Sequence, residues 1–201
     1  MYNYAAPLRA GAYVRAALGG FRKRVFDIAI SSIALIVLTP ILLATAGLIR
    51  FLIGKSVFVT AEWIGFGGQA FAPYQFRSTV WNCEEASTAQ FSLNDRSWAD
   101  DLGGALRASG LDKLPLLFNV LRGDMSLFGP RPIMANEVTC YRKVMPEYFS
   151  ARPGLTGLWR RSRALNHGRP ATQMALDRYY LRCWSVWLDL GLLFRTISAS
   201  A

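Results

Sequence analysis

Asp112 and Lys113 stand side by side within SGLDKLPLLFNVLRGDMSLFGPRP, the stretch from Ser109 to Pro132. Asp112 offers a carboxylate. Lys113 is a compact cation able to neutralise phosphate charge, though without the planar fork of an arginine. Near the end of the stretch, Arg131 lies between Pro130 and Pro132, which lock the backbone on both sides of it. A guanidinium held that way can grip a phosphate through two parallel hydrogen bonds, and it can equally cap a helix carbonyl. PGLTG (153–157), containing Gly154 and Thr156, suits a backbone N–H nest for phosphate or a plain turn. Together these residues are either surface punctuation or the working end of an enzyme that handles phosphate.

Positioning them requires ordered elements around Asp112. The run LDKLPLLFNVLRGD predicts a helix starting near Leu111, with Pro115 in its first turn and Gly123 at its end. Asp112 would then lie at a helix N-terminus, where partial positive charge favours a carboxylate. Residues 55–80 alternate β-branched and aromatic side chains around Gly65-Phe66-Gly67-Gly68, the pattern of a hairpin or two short strands. Residues 82–103 are polar and read as loop with short helices. SLFGPRP reads as a rigid loop. Residues 172–198 read as an amphipathic helix followed by an apolar-aromatic one. For Trp184, Trp187, Leu188, Leu190, Leu192, Leu193 and Phe194, core packing competes with a place in a membrane interface. His167, the only histidine, reads as an exposed bystander, and neither Asp177 nor Asp189 carries a catalytic signal.

The 201 residues suffice for one domain with a real core. The chain is both basic and apolar: net charge +10, with 52% hydrophobic residues and positive mean hydropathy. Basic charge alone suits nucleic acid, anionic lipid or phosphorylated substrates. Net charge is +5 over residues 1–50, −2 over 51–100 and +7 over 101–201, and in the last region the cations are nearly all arginine, which favours fixed guanidinium forks over diffuse ammonium charge. A nucleic-acid binder would explain the charge but not the apolar segment that follows FRKR (21–24). Cys83, Cys140 and Cys183 lack zinc-type spacing and read as reduced, buried thiols on a cytoplasmic-facing body.

That apolar segment carries no charge from Ile28 to Ile49, long enough to span a bilayer. Pro40 lies in its middle, where it removes an N–H donor and frees the carbonyl of Ile36. A kink or break at Thr39-Pro40 is therefore expected, with Ser31, Ser32 and Thr39 as candidate partners for freed backbone groups. Positive charge flanks both ends, at Arg22, Lys23 and Arg24 and again at Arg50 and Lys55. A re-entrant hairpin reconciles these facts, and a straight span with a tolerated proline is the alternative. Three regions follow: a lead-in over 1–20, the membrane hairpin over 21–54 and a catalytic body over 55–201.

Several motifs occur in one order: Lys23-Arg24 with Phe26-Asp27, Thr39-Pro40, IGFGGQAF with YQFRST, LRASGLDKLP, NVLRGDMSLFGPRP, RPGLTGLW and LDRYYLRCWSVWLDLGLLFRT. From about Phe21 to Ile197 the chain resembles the bacterial sugar transferases, the monotopic polyprenyl-phosphate phosphoglycosyl transferases. The resemblance implies an α/β, mostly helical fold: a re-entrant membrane helix plus a small cytosolic-facing catalytic body with interfacial amphipathic helices. It implies transfer of a sugar phosphate from a UDP-sugar to undecaprenyl phosphate, releasing UMP, at the start of exopolysaccharide or related glycan synthesis. It places the protein at the bacterial inner membrane with its body on the cytoplasmic face, in contact with membrane lipid and not nucleic acid, and leaves a homo-oligomer open.

The family's reaction runs through an Asp-Glu pair and Mg²⁺, the Asp attacking the donor's β-phosphate to form a covalent phosphosugar. By resemblance Asp112 is the nucleophile and a metal ligand, while Lys113 holds the position of the Glu. Arg131, Arg77, Pro132, Gly154 and Thr156 are the implied substrate-binding residues. The chain departs from the family pattern at Trp63, Gln75, Ser78 and Thr79 as well as Lys113, and RRSRALN follows GLW. An ammonium in place of the Glu repels Mg²⁺. If Lys113 turns to solvent, Asp124 or Glu137 becomes the candidate metal contact. The alternative function is a catalytically impaired relative acting as membrane partner or regulator of an active transferase.

Overall fold

The computed structural model of the protein describes residues 18–53, 56–59, 61–78, 98–134, 145–160 and 170–198. It is mostly helical and begins with one long apolar helix, α1 (Gly20–Ile53), long and apolar enough to cross a membrane. The helical run continues through Pro40 without dividing, so the expected break does not split the element. A proline in a helix forfeits one backbone bond, and a long apolar run on either side sustains helix regardless. The Thr39 hydroxyl donates to the Leu35 carbonyl over 2.6 Å rather than to that of Ile36. Ser31 Oγ is buried without a partner.

One face of α1 is buried at helical spacing: Lys23, Asp27, Ser31, Leu35, Leu42 and Ile49. Its other sides expose Phe21, Ile33, Ile36, Val37, Leu43 and Phe51. The buried face joins the main core, which includes Phe76, Leu106, Leu116, Leu117, Val120, Met125 and Phe128.

Among the described residues the body contains three small sheets. The strands β1 (Phe58–Val59) and β4 (Gln75–Phe76) pair antiparallel. β2 (Trp63–Ile64) lies between β3 (Ala70–Phe71) and β6 (Ile133–Met134). β5 (Ser126–Phe128) and β7 (Gly154–Thr156) pair in parallel, with Ser126 opposite Gly154 and Phe128 opposite Thr156. The expected hairpin around Gly65–Gly68 is β2–β3. Part of the loop expected at SLFGPRP is instead β5, because its apolar residues find a buried partner in β7.

The helices α2 (Trp98–Ser109) and α3 (Leu116–Arg122) are joined by a 3₁₀ turn, Leu111–Lys113. Further along, the described residues form the helices α4 (Met145–Tyr148), α5 (Pro170–Cys183) and α6 (Val186–Ser198). Polar bonds tie α1 to this body. Lys23 Nζ lies 2.6 Å from Asp189 Oδ2 and 3.1 Å from the Tyr180 hydroxyl, and Trp184 Nε1 donates to the same Asp189 oxygen over 3.0 Å. Arg24 donates to the Val120 and Leu121 carbonyls at the end of α3. Asp27 accepts from the Ser126 hydroxyl and the Leu127 N–H. The cluster Lys23-Arg24-Asp27 is thus a fastener.

The helix α6 has two faces. Leu188, Leu192 and Leu193 pack on the core, whereas Trp187 and Phe194 are exposed. Cys183 corrects the buried-thiol expectation: it is a free, exposed thiol at the end of α5, on a side turned from the core. Cys83, Cys140, Glu137, His167 and Thr79 lie outside the described residues.

Candidate active site

Asp112 is placed by a sharp local geometry. Gly110 adopts a left-handed conformation (φ 73°), costly for a side-chain-bearing residue, and ends α2 so that the 3₁₀ turn can begin. That turn buries Asp112 to 2% exposure. Gln75 on β4 donates from Nε2 to Asp112 Oδ2 over 3.0 Å, while Oδ1 is buried and has no hydrogen-bond partner. A buried carboxylate oxygen without a partner is costly, and such atoms mark sites that expect another group.

Asn119, fully buried in α3, sets Gln75 in place. Its Oδ1 accepts from the Tyr74 N–H over 2.7 Å, and its Nδ2 donates to the Ala72 carbonyl and to Asp124 Oδ2. The strand carrying Gln75 is thereby clamped against the helix that follows Asp112. Asn119 carried no signal as a site residue; a lone amide within LLFNVL is the one hint the sequence offers.

Asp112 opens onto a cleft of about 440 Å³, within the range of small-molecule sites. Lys113, Arg131, Pro132 and Gly154 line it too, together with Arg107 of α2, which the sequence reading missed. Arg107 hydrogen-bonds the Ser78 carbonyl. Closeness of α2 to that segment requires Gly103, where an added Cβ would meet the Ser78 oxygen at 2.0 Å. Trp63, Gln75 and Ser78, positions where the chain departs from the family pattern, are also on the wall.

Arg131 is held at three points. Its N–H donates to Asp177 Oδ1 over 3.0 Å, its carbonyl accepts from the Tyr148 hydroxyl over 2.5 Å, and Nη1 reaches Gln173 Oε1 at 3.2 Å. The guanidinium is therefore preorganised by more than the flanking prolines. Burial pushes the Asp177 carboxyl up to about 7, against the opposing effects of the Arg131 N–H and charge.

Two implied binding residues lie elsewhere. Arg77 is buried, with Nε bonded to the Ser56 carbonyl, and is not on the cleft wall. Thr156 pairs with Phe128 and is not on the wall either. The segment 154–156 is a strand, and the Gly154 N–H is spent on the Pro130 carbonyl at 2.9 Å. Asp124 lines a separate, smaller cavity with Arg152.

The cleft wall does not fit a Mg²⁺ site. Among the described residues no group of three or more His, Cys, Asp or Glu side chains converges. Asp112 is, among the described residues, the one carboxylate on the wall, against Lys113, Arg107 and Arg131. Mg²⁺ favours carboxylate and phosphate oxygen, and three cations around one carboxylate repel it.

Comparison with known proteins places this geometry. The family model for the bacterial sugar transferases matches residues 18–201. The chain belongs to the bacterial sugar transferase family. It is 38% identical to the exopolysaccharide production protein ExoY of Sinorhizobium fredii, covering 90% of this chain and 86% of that protein. It is 34% identical to the UDP-glucose:undecaprenyl-phosphate glucose-1-phosphate transferase of Caulobacter vibrioides, covering 94% and 73%. It is 35% identical to the undecaprenyl-phosphate galactose phosphotransferase of Salmonella typhimurium, covering 88% of this chain and 40% of that longer protein. In this sugar transferase the order of motifs read from the sequence corresponds to two structural jobs. Lys23, Arg24 and Asp27 fasten α1, and LRASGLDKLP with GPRP builds the cleft.

Proposed function

We propose that this sugar transferase moves a sugar phosphate from a UDP-sugar to undecaprenyl phosphate, yielding undecaprenyl-diphosphate sugar and UMP, as the first step of exopolysaccharide or related glycan synthesis. The observation that carries the reading is Asp112: one oxygen held by Gln75, the other buried, unpartnered and set in a cationic cleft. The names of the relatives supply the donor and acceptor classes.

Asp112 Oδ1 attacks the donor's β-phosphorus. An oxygen–phosphorus bond forms, the bond from that phosphorus to the bridging oxygen breaks, and UMP leaves with the bridging oxygen and its electron pair. An oxygen of undecaprenyl phosphate then attacks the same phosphorus, forming the diphosphate and returning the electron pair to Asp112. Burial and the Gln75 bond fix the direction of the attacking oxygen, and orientation is a large part of what a nucleophile needs.

The acceptor's lipid tail calls for a membrane seat. The exposed apolar side chains of α1, with Trp187 and Phe194 on α6, support one; its place at the inner membrane with the body on the cytoplasmic face is part of the proposal. A straight helix of this length would extend about 50 Å, well beyond the roughly 30 Å hydrocarbon core. Yet both ends of α1 return to one body. Arg24 bonds the Val120 carbonyl, and Val57, just past the last turn, accepts from the Arg77 N–H. Those anchor points are linked in turn by the bond from Tyr74 to Asn119. This supports a bend at Pro40 and re-entry on the same face.

The test is UMP release from a panel of UDP-sugars by detergent-purified protein with undecaprenyl phosphate, alongside Asp112→Ala. Release lost in Asp112→Ala, with a phosphosugar mass increment on the peptide containing Asp112 in the wild type, is the expected result. No release from folded protein on any donor would sink the reading and favour an inactive partner of another transferase.

A further inference from the structure

The disagreement between the cleft and a divalent metal points to a different way of neutralising the donor's diphosphate. We propose that Lys113, Arg107 and Arg131 together form a metal-independent diphosphate clamp, so that the nucleotide donor binds and reacts without Mg²⁺. The inference rests on the donor reading above and assigns the binding residues.

Three observations carry it. The first is the balance of the wall, where among the described residues three cations face a single carboxylate. A UDP-sugar brings two phosphate charges, and cations already in place meet them at no cost in reorganisation. The second is how the cations are held. Arg131 is fixed through its N–H, carbonyl and Nη1, and Arg107 is tied to the Ser78 carbonyl, so both forks are preorganised. Lys113 makes no side-chain hydrogen bond or ion pair among the described residues, which leaves its ammonium available as a point charge beside the nucleophile. The third is Asp112 itself. Gln75 donates to Oδ2, while Oδ1, the atom that must attack phosphorus, is buried with no hydrogen-bond partner. A metal ligated there would occupy the nucleophile.

The reaction balances without a metal. The clamp stabilises charge that develops on the β-phosphoryl oxygens and on the departing UMP oxygen, and the leaving group departs as a phosphate anion needing no proton. Lys113, next to Asp112 in the chain, serves the attacked phosphoryl group, while the two forks serve the remaining diphosphate oxygens.

UDP binding to the full-length protein in detergent, titrated calorimetrically in EDTA and again in MgCl₂, is the direct test, with UMP release measured in the same two buffers. The expected result is a Kd in EDTA within about threefold of that in MgCl₂, and UMP release that survives EDTA. Lys113→Gln and Arg107→Gln should each weaken binding in EDTA roughly tenfold or more. Lys113→Glu should make binding depend on MgCl₂, since it restores a second carboxylate. UDP binding or UMP release that requires MgCl₂ in the wild type overturns the clamp and leaves the transferase reading intact. No UDP binding in either buffer overturns the clamp and the donor reading together.

Discussion

Gln75 Nε2 and Asp112 Oδ2 are hydrogen-bonded at 3.0 Å, which makes the two oxygens of one buried carboxylate unequal. One is a handle and the other is free to react. Gln75→Ala should therefore leave the protein folded while lowering UMP release roughly tenfold or more, the loss expected for a hydrogen bond to a charged group that sets orientation. Gln75→Glu should be worse, because it sets a second carboxylate against Asp112. Equal activity in Gln75→Ala would show that Asp112 is oriented by other means.

The pair Lys23–Asp189 is nearly sealed from solvent, at 7% and 1% side-chain exposure. Removing one partner strands a charge, so Lys23→Met should destabilise by about 3–5 kcal/mol. The double variant Lys23→Met with Asp189→Leu should recover part of that loss. Thermal unfolding of the purified variants measures both, and an unchanged midpoint in Lys23→Met would mean the pair is dispensable.

Asp177 makes stability depend on pH. Its carboxyl is pushed up to about 7 by burial from an ordinary value of 3.8, so the folded state binds a proton the unfolded state has released. Stability from this group is fully present below about pH 4 and is lost as pH rises through 7, with a slope of up to about 1.4 kcal/mol per pH unit. Asp177→Asn should flatten that decline. A wild-type unfolding midpoint that does not fall relative to Asp177→Asn between pH 5 and 8 would refute this origin.

Gly154 on β7 packs against the backbone of Gly129, just past the end of β5. A Cβ at residue 154 would meet the Gly129 nitrogen at 2.2 Å and the Thr156 oxygen at 2.5 Å, both backbone atoms that cannot swing aside. Gly154→Ala should cost on the order of 3 kcal/mol and widen the cleft wall. Tolerance of this substitution, with full stability, would show that the strands can separate.

Much of this protein is legible because the information is local or periodic. The helix with Pro115 at its start and Gly123 at its end follows from backbone preferences that act within a few residues. The order of motifs likewise identified the family before any geometry was known.

Other features depend on residues far apart in the chain. Arg107 reads as an ordinary helix cation until packing of α2 on Ser78 turns it toward the cleft. Arg77 reads as a binding residue, and only packing shows its Nε bonded to the Ser56 carbonyl and the residue off the cleft wall.

The sequence by itself determined the apolar N-terminal helix, the short strands around Gly65–Gly68, the helix that ends at Gly123 and the prolines on both sides of Arg131, because spacing, glycine and proline act locally; the 3₁₀ turn at Leu111–Lys113, where the spacing predicts the start of that helix, emerged only in the structure. Tertiary structure alone decided which cations face Asp112, which oxygen Gln75 occupies and where α1 is fastened. Charge balance and hydrogen-bond satisfaction inside a cleft are sums over groups that meet only when the chain has packed.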